Sequence, residues 1–341
     1  MKIGKSIIVL LLLGLLIAAC QPAAPTAAAP AAAPTTEPTK AAKKIVVGYS
    51  PHTFEATDFY KIGQMGLEKK AVEIGLNLQV IGKAPATLSD AEGQLKIVED
   101  FITAGVDYIW LVPVSVEAAP PMIEAANKAG IPMFISHSLT PYAAPLKLFA
   151  YVGTDFLKTG TDVGNWVVQK YGCSIKFGII RGAAGQYDTW RVESAVTAIK
   201  AKCPNMEIFK SAYTDWATEK ALNETATMLV AHPDVNLIYT PSSTLTLGAV
   251  EAIKAAGKGE TVKVLDYDLI PAVQKMCNEK PQIVVGGLGM FPYKYGEVVA
   301  DLIAKHEKGE TTPLANEVGG AIIECGHFAE FYPQWYLDMA K

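Results

Sequence analysis

Two side chains of this sequence could together perform acid–base chemistry, those of His137 and Asp268, because an imidazole and a carboxyl group can exchange a proton when they lie within hydrogen-bond reach. No further motif supports catalysis. The sequence contains no Gly-x-Ser-x-Gly, no P-loop, no His-Glu-x-x-His and no Gly-x-Gly-x-x-Gly entering a helix. The run Gly286-Gly287-Leu288-Gly289 leads into Met290-Phe291-Pro292, which is not a phosphate-binding helix start. We therefore expect no enzyme, no cofactor and no metal site.

The charge balance argues against a nucleic-acid partner. The chain has 341 residues, of which 30 are basic and 34 acidic, for a net charge of −4. Its basic residues form no run beyond pairs such as Lys43-Lys44 and Lys69-Lys70. A protein that binds nucleic acid needs a concentrated basic patch, and this sequence does not predict one.

The N-terminal residues have the pattern of an export signal. Lysines precede an apolar run from Ile7 to Leu16, which is typical of a signal peptide. The alternative is a single membrane span, but about 18 apolar residues are needed to cross a bilayer and this run is shorter. The run ends at Ile17-Ala18-Ala19-Cys20, which resembles the lipobox where bacterial lipoproteins are cleaved and acylated. We expect residues 1–19 to be removed and Cys20 to carry a lipid that holds the exported protein on the cell membrane, facing the periplasm or the cell exterior.

The segment that follows predicts a tether. Residues 20–43 are mostly Ala, Pro and Thr, a composition that cannot bury enough apolar surface to offset the entropy lost on ordering. The remaining residues, 44–341, are numerous enough for a large core and more than one lobe.

This folded part alternates short β-branched runs with longer stretches of helical periodicity, the pattern of βαβ units and parallel sheets. Equivalent points of its two halves, such as Ile45 and Ile175, are 130 residues apart. The sequence therefore predicts an α/β fold with two similar doubly wound parallel-sheet lobes, and a ligand cleft where the carboxyl ends of their strands face each other. The predicted strands are Ile45–Tyr49, Leu76–Ile81, Tyr108–Val112, Pro132–Ile135, Lys176–Ile180, Met206–Phe209, Leu237–Tyr239 and Val262–Leu265, with helices such as Thr218–Ala231 between them.

Several separate segments resemble one known family, the periplasmic sugar-binding proteins that include ribose-binding protein. The similarity covers about Lys44 to Gly309, and the segments occur in the order of that family. They are Phe59-Tyr60 with Gly66 and Ala71, the stretch from Ala104 to Pro113, the stretch from Ala125 to Pro132, Trp216 with Lys220-Ala221-Leu222, His232-Pro233-Asp234-Val235, and Leu247-Gly248-Ala249.

The resemblance implies a type I periplasmic binding fold whose lobes are joined by three crossings, near Gly153, near Gly286 to Gly289 and near Gly319-Gly320. Glycines suit a hinge because they absorb backbone rotation at little steric cost, although these positions could also be ordinary loops. The expected lobes are residues 44–153 plus 289–319 for the N-terminal lobe, and residues 154–288 plus 320–341 for the C-terminal lobe.

The resemblance also implies a function. Members of this kind capture a sugar or polyol by hinge closure and present it to the permease of an ABC importer, and they are expected to be monomers. The same fold also serves as a ligand-sensing partner of a membrane receptor kinase, and the sequence leaves that alternative open.

Four residues match positions at which the family binds its ligand. Phe59 and Tyr60 match ring-stacking aromatics of the first lobe, and Trp216 matches one of the second, although core packing is the alternative for each. Asp268 matches a carboxylate that accepts hydroxyl hydrogen bonds, with a helix N-cap as its alternative role.

Other positions depart from the family pattern. His137-Ser138 replaces a charged Asp-Arg pair, and Ser242-Ser243 replaces an Asn-Asp pair. Met290 replaces a glutamine, and the ligand-binding arginine falls on Thr189 or Trp190, while Arg191 is assigned a more structural place. We expect a pocket that is less charged and more aromatic, with possible additional contacts from the first-loop residues His52, Phe54 and Asp58.

Apart from Cys20 the chain has four cysteines, an even number in a chain that is expected to be exported. Their places in the implied topology favour the pairs Cys173–Cys203 and Cys277–Cys325. Four buried thiols are the alternative.

Overall fold

The computed structural model describes residues 43–55, 57–137 and 142–341. The predictions for the signal peptide, Cys20 and Ser138 lie outside these residues, as does all of the predicted tether except Lys43. The strands are β1 (Ile45–Ser50), β2 (Leu78–Gly82), β3 (Tyr108–Leu111), β4 (Met133–Ser136), β5 (Ala150–Gly153), β6 (Phe177–Arg181), β7 (Ile208–Tyr213), β8 (Leu237–Tyr239), β9 (Lys263–Asp268), β10 (Val284–Gly289), β11 (Ala315–Glu317) and β12 (Ala321–Glu324). The helices are α1 (Phe59–Glu73), α2 (Ala91–Ala104), α3 (Ala119–Ala129), α4 (Phe156–Tyr171), α5 (Gln186–Lys202), α6 (Thr218–Ala231), α7 (Ser243–Ala255), α8 (Pro271–Met276), α9 (Pro292–Glu307) and α10 (Gln334–Asp338).

The strands form two six-stranded sheets of similar plan. Their orders are β11-β5-β4-β3-β1-β2 and β12-β10-β9-β8-β6-β7. All neighbouring strands are parallel except β10 and β12, which pair antiparallel. The first sheet with α1, α2, α3 and α9 is called the N-terminal lobe, and the second with α4 to α8 the C-terminal lobe. The predicted fold class, two similar doubly wound parallel-sheet lobes, is confirmed.

The chain passes between the two sheets three times. The passages follow β5, β10 and β11, so α9 and β11 return to the N-terminal lobe. Gly289 is the last residue of β10 and pairs with both Asp268 and Ala321 in the second sheet. The exact lobe boundaries stay a prediction.

The central strands are mostly apolar and buried because helices cover both faces of each sheet. Every residue of β3 and β4 is buried. In β3, Trp110 stacks on Tyr49 of β1 with ring centroids 4.1 Å apart, and its indole nitrogen donates to the Ser136 hydroxyl at 2.7 Å. Among the described residues, no helix is long and apolar enough to cross a membrane.

The helices begin and end at residues whose chemistry favours those positions. The Asp90 side chain accepts the Gly93 amide at 2.8 Å at the start of α2, and the Asp155 side chain accepts the Lys158 amide at 3.0 Å at the start of α4. Helix α2 ends at Gly105, whose φ of 68° is left-handed.

Glycines let the covering helices approach each other closely. A methyl group on Gly296 of α9 would overlap the carbonyl oxygen of Gly63 in α1, and one on Gly66 of α1 would overlap the carbonyl oxygen of Tyr293. In the C-terminal lobe Gly160 and Gly164 of α4 approach α5 in the same way. In the same lobe Gly248 of α7 approaches α6, so the N-terminal lobe has one helix pair and the C-terminal lobe two whose separation depends on missing side chains.

The last residues of the chain pack on both lobes. The Tyr332 hydroxyl donates to the Met290 carbonyl at 3.1 Å, and the Tyr336 hydroxyl to the Leu269 carbonyl at 3.4 Å. The Tyr332 ring packs against Phe291, and the Tyr336 ring packs against Tyr293 of α9. The Lys69 ammonium group of α1 lies 5.2 Å from the centroid of the Trp335 ring. This segment therefore packs beside the second passage between the sheets.

We predict that Gly296→Ala lowers the free energy of unfolding by about 2 kcal/mol, because the added methyl group forces α1 and α9 apart. Chemical denaturation measures the change. Gly319→Ala is the matched control, since no described atom lies within 4 Å of the position its methyl group would take. Equal stability of the two variants would contradict this account of the helix pair.

Candidate ligand-binding site

A cavity of ≈ 50 Å³ lies between the lobes, at the carboxyl ends of strands from both sheets. Segments after β1, β2 and β4 supply its N-terminal side, and the end of β9 with the segments after β6, β7 and β8 supplies its C-terminal side. The residues that line it are His52, Thr53, Thr57, Phe59, Tyr60, Leu88 and His137 from the N-terminal lobe, and Tyr187, Arg191, Trp216, Ser242, Thr244 and Asp268 from the C-terminal lobe. The cleft is therefore where the sheet topology places it.

The structure brings most of the predicted site residues to this cavity. Phe59, Tyr60, His137, Trp216, Ser242 and Asp268 all line it. So does His52, one of the three possible first-loop contacts, whereas Phe54 and Asp58 do not. That these residues bind a ligand stays a prediction.

Thr189 and Trp190 are not at the cavity, and Arg191 is. Helix α5 begins at Gln186, so Tyr187 and Arg191 lie one turn apart on the same face, and that face lines the cavity. The Thr189 hydroxyl instead donates to the Gly185 carbonyl at 2.9 Å. This corrects the sequence-based assignment, which gave Arg191 a structural place. The spacing of Tyr187 and Arg191 was the signal that could have identified them.

Met290 also lies away from the cavity. Its side chain is fully buried in the hydrophobic core, and its carbonyl accepts the Tyr332 hydroxyl. The position follows β10, where the C-terminal segment packs against the sheet. The prediction that Met290 replaces a polar ligand contact is therefore corrected.

The Arg191 guanidinium is the central cation of the site and is only 3% exposed. It lies over three aromatic rings, 4.3 Å from the centroid of Phe156, 4.7 Å from that of Tyr267 and 5.7 Å from that of Trp216. One terminal nitrogen donates to the Pro241 carbonyl at 2.9 Å. The Nε atom is buried and has no hydrogen-bond partner among the described residues. The expectation of a less charged and more aromatic pocket is thus only partly met, because this cation lies at its centre.

The second terminal nitrogen of Arg191 lies 2.8 Å from His137 Nε2. A guanidinium can only donate, so Nε2 accepts and the imidazole proton is on Nδ1. Burial and the nearby Arg191 cation lower the pKa of His137 well below its usual range. His137 is therefore a neutral acceptor, and its φ of 84° is unusual for a residue with a side chain.

His52 and Tyr60 form a second polar pair in the N-terminal lobe. His52 Nε2 donates to the Pro113 carbonyl, so His52 Nδ1 accepts the Tyr60 hydroxyl at 3.1 Å. Burial lowers the pKa of His52 to about 4, with a smaller contribution from the Arg191 charge. Both histidines of the site are therefore neutral at physiological pH.

Asp268 is the carboxyl group of the cavity. Its side chain accepts the Ser243 amide at 3.2 Å, at the first turn of α7, and it does not cap the helix that follows it in sequence. Burial raises its pKa to about 7, although Arg191 and the Ser243 amide act in the opposite direction. Asp268 forms no ion pair with Arg191 within the described part of the chain. The guanidinium and the carboxyl group therefore both face the cavity without a direct ion pair between them.

A second carboxyl group holds the Asp268 loop in place. Asp266 accepts the Ser243 hydroxyl at 2.8 Å, the Leu269 amide at 2.7 Å and the Thr246 hydroxyl. Burial raises its pKa to about 6. Asp266 is fully buried and does not line the cavity, so its contacts fix the backbone on both sides of Asp268.

Trp216 is placed by a close approach to glycine. A methyl group on Gly182 would overlap the Trp216 indole, so only glycine permits the ring to lie there. The Gly182 amide donates to Asp188 at 2.7 Å, and the Asp188 carboxylate also binds Arg181. Trp216 itself has a φ of 61°.

Backbone strain is concentrated at this site. His137, Trp216 and Asp268 all line the cavity and all have positive φ, the last at 119°. Such conformations in residues other than glycine persist where the surrounding structure imposes them, and they are typical of functional sites. No group of three or more His, Cys, Asp or Glu in the described ranges could hold a metal ion.

Comparison with known sequences agrees with this geometry. Residues 47–311 match the periplasmic binding protein domain family. The chain is 27% identical to the D-ribose/D-allose-binding protein of Pseudomonas aeruginosa over 231 residues, which cover 66% of this chain and 71% of that protein. It is 26% identical to the ribose import binding protein RbsB of Escherichia coli over 246 residues, which cover 72% of this chain and 79% of that protein.

Solved structures share the fold. An ABC transporter solute-binding protein from Actinobacillus succinogenes with bound D-allose superposes with a TM-score of 0.76 and 24% identity, covering 84% of this chain and 100% of that one. A solute-binding protein from Bacillus halodurans with bound myo-inositol gives a TM-score of 0.72 and 18% identity, covering 86% of this chain and 99% of that one.

We predict that Asp268→Asn changes the pH dependence of stability. Because folding raises the pKa of Asp268 from 3.8 to about 7, the folded state retains a proton that the unfolded state loses. The resulting stabilisation is complete below pH 3.8 and is lost as the pH rises to about 7. Asparagine stays neutral at every pH. Between pH 5 and pH 8 the free energy of unfolding of the variant should therefore rise by about 3 kcal/mol relative to that of the wild type.

Chemical denaturation across this pH range measures the difference. The exposed Asp215, changed to Asn, is the control and should follow the wild-type pH profile. If the free energies of unfolding of the wild type and Asp268→Asn changed in parallel with pH, Asp268 would be ionised in the folded state throughout this range. That result would contradict the raised pKa.

Proposed function

The chain belongs to the periplasmic binding protein domain family, whose members bind substrates for transport and are not enzymes, and we propose that this protein captures a small uncharged sugar or polyol for an ABC importer. The relatives named for ribose and allose support this ligand class. The cavity volume of ≈ 50 Å³ disfavours a polymer chain.

The observation that carries the proposal is the placement of Arg191 and Asp268 around one cavity without an ion pair between them. Arg191 has a buried Nε–H that needs an acceptor, and the Asp268 carboxyl group, which already accepts the Ser243 amide, has room for further hydrogen bonds. A hydroxyl group can accept from the first and donate to the second. A neutral ligand with several hydroxyl groups satisfies both without bringing a charge into the cleft.

The aromatic walls suit the same ligand. Phe59 and Tyr60 line the N-terminal side of the cavity, and Tyr187 and Trp216 line the C-terminal side. A sugar or polyol has apolar C–H faces that pack on flat rings, and a rim of hydroxyl groups that needs polar partners. The ligand would thus contact both lobes at once.

Contact with both lobes supplies the mechanism. A ligand that bridges the lobes stabilises the closed form by its greater affinity for that form, and a permease can then recognise closure as a signal of loading. The three passages after β5, β10 and β11 are the hinge in this proposal, with the lobes divided near Gly153, Gly289 and Gly320.

The cellular location is the next part of the function. Family membership implies export, and we propose that the protein is held at the membrane by a lipid on Cys20 and acts as a monomer. A sensing role beside a receptor kinase would use the same cleft, but no feature of the described residues favours it over transport.

We also propose two disulfides. Cys173 lies beside Cys203 and Cys277 beside Cys325, with Cα–Cα distances of 5.3 Å and 5.5 Å, which are typical of disulfides. We predict that non-reducing peptide mapping of the exported protein finds these two pairs. Mapping that finds four free thiols, or any other pairing, would contradict the proposal.

We predict that a thermal-shift screen of the purified protein against pentoses, hexoses and polyols at millimolar concentration finds a ligand that raises the melting temperature by a few degrees. The dissociation constant should increase about tenfold in Trp216→Ala, because a stacking wall is lost. It should increase about a hundredfold in Asp268→Asn, because a charged acceptor is lost.

Thr189→Ala is the matched control, because this residue lies on the other side of α5 and its hydroxyl already bonds the Gly185 carbonyl. Its affinity should equal that of the wild type. A response to amino acids or nucleosides alone would contradict the proposed ligand class, and a sugar that binds all three variants equally would contradict the proposed site.

A further inference from the structure

We propose that His137 is a positioning residue, which orients the Arg191 guanidinium toward the ligand and at the same time bonds the two lobes to each other. The inference rests on the proposed function for its ligand, but the bond between the lobes exists in the protein alone. His137 follows β4 of the N-terminal lobe, and Arg191 belongs to α5 of the C-terminal lobe. Their 2.8 Å hydrogen bond therefore crosses the cleft.

The bond to His137 fixes a side chain that would otherwise have rotational freedom. One terminal nitrogen of Arg191 is held by the Pro241 carbonyl of its own lobe, and the other by His137 of the opposite lobe. With both terminal nitrogens held, the plane of the guanidinium is set and the Nε–H has one direction. No described residue accepts from Nε, so this donor is left without a protein partner beside the cavity that Arg191 lines. Losing either acceptor would remove one of the two hydrogen bonds that fix this plane and leave the aromatic rings and the other bond to hold it.

A neutral acceptor at position 137 has an electrostatic consequence. A carboxylate there would form a buried ion pair with Arg191 and neutralise its charge, whereas a neutral imidazole accepts the hydrogen bond and leaves the cation intact. Burial keeps His137 neutral, with the Arg191 cation as the second cause and His52 as the third. The ring centroids of His52, Tyr187 and Tyr60 lie 5.3 Å, 5.2 Å and 6.2 Å from that of His137. The full guanidinium charge is thus retained for ligand oxygens.

A second direct bond supports the same role for this region. The Tyr187 hydroxyl, from the C-terminal lobe, donates to the Pro113 carbonyl of the N-terminal lobe at 3.4 Å. The Pro113 carbonyl also accepts from His52. Direct hydrogen bonds therefore join the lobes at two places beside the cavity. These bonds stabilise the closed form whichever ligand binds.

The test compares two substitutions of one residue. His137→Phe retains an aromatic ring among its neighbours but has no acceptor for Arg191, whereas His137→Gln places an amide oxygen near the position of Nε2 and restores an acceptor. The strained φ is common to both variants, so backbone effects cancel in the comparison. His137→Ala is measured in parallel, because it removes the acceptor without crowding the cavity.

Two measurements are made on the purified protein. Small-angle X-ray scattering without added sugar should give a larger radius of gyration for the Phe and Ala variants than for the wild type, and the Gln variant should match the wild type. For the sugar with the largest thermal shift, the Phe and Ala variants should bind about tenfold more weakly, mainly through faster dissociation, while the Gln variant stays within about threefold.

The outcomes separate this inference from the proposed function. Phe, Ala and Gln variants with identical scattering and identical affinity would overturn the positioning role. So would equal loss in all three variants, because that pattern shows a need for histidine itself as a ligand contact. If scattering follows the predicted pattern while no sugar binds the wild type, the bond between the lobes is supported and the proposed ligand class fails.

Discussion

A buried cation without a counter-ion in contact is the constraint around which this structure is organised. Arg191 is almost completely removed from water, and a bare buried charge is costly unless hydrogen bonds and polarisable neighbours compensate it. The protein supplies three aromatic faces, a carbonyl from one lobe and an imidazole from the other. These partners come from different segments of both lobes, so the cation is fully accommodated only where the two sheets meet.

The strained residues of the cleft follow from the same constraint. His137, Trp216 and Asp268 each follow or end a parallel strand, and each has a positive φ that turns the chain toward the cavity. Their neighbours hold these conformations: Asp266 bonds the loop around Asp268, and Gly182 makes space for the Trp216 indole. The rigid sheets thus support local conformations that are unfavourable on their own.

Much of this architecture can be predicted from sequence, because hydrophobic periodicity and strand spacing depend on local pattern. All eight predicted strands are present, and the 130-residue repeat corresponds to the two sheets. Four strands, β5, β10, β11 and β12, were not predicted as strands. Strand β10 contains three glycines, one of which would overlap Asp266 if it carried a methyl group, and β11 has three residues and is mostly polar. Packing between neighbouring strands, not intrinsic preference, makes these segments extended.

The site was predictable where a residue lies at or just after the end of a strand, as with His137, Trp216 and Asp268, because such positions meet at the cleft and could be matched to the family's binding positions. It was not predictable on α5, where each residue turns the side chain by about 100°, so a shift of one or two residues exchanges Trp190 or Thr189 for Arg191. The face of that helix is set by its starting point, Gln186, and by the packing of Gly160 and Gly164 of α4 against it. Such contacts between distant segments are absent from any local pattern.

The most direct test of this account is ¹⁵N NMR of the arginine side chains, because the chain has only two arginines, Arg181 and Arg191. Arg181 is bonded to Asp188 and serves as an internal reference. The account predicts that a sugar that raises the melting temperature shifts the Arg191 Nε–H signal strongly and slows its exchange with water, while the Arg181 signal is unchanged. A sugar that binds tightly and leaves the Arg191 signal unchanged would contradict the claim that this buried cation receives the ligand.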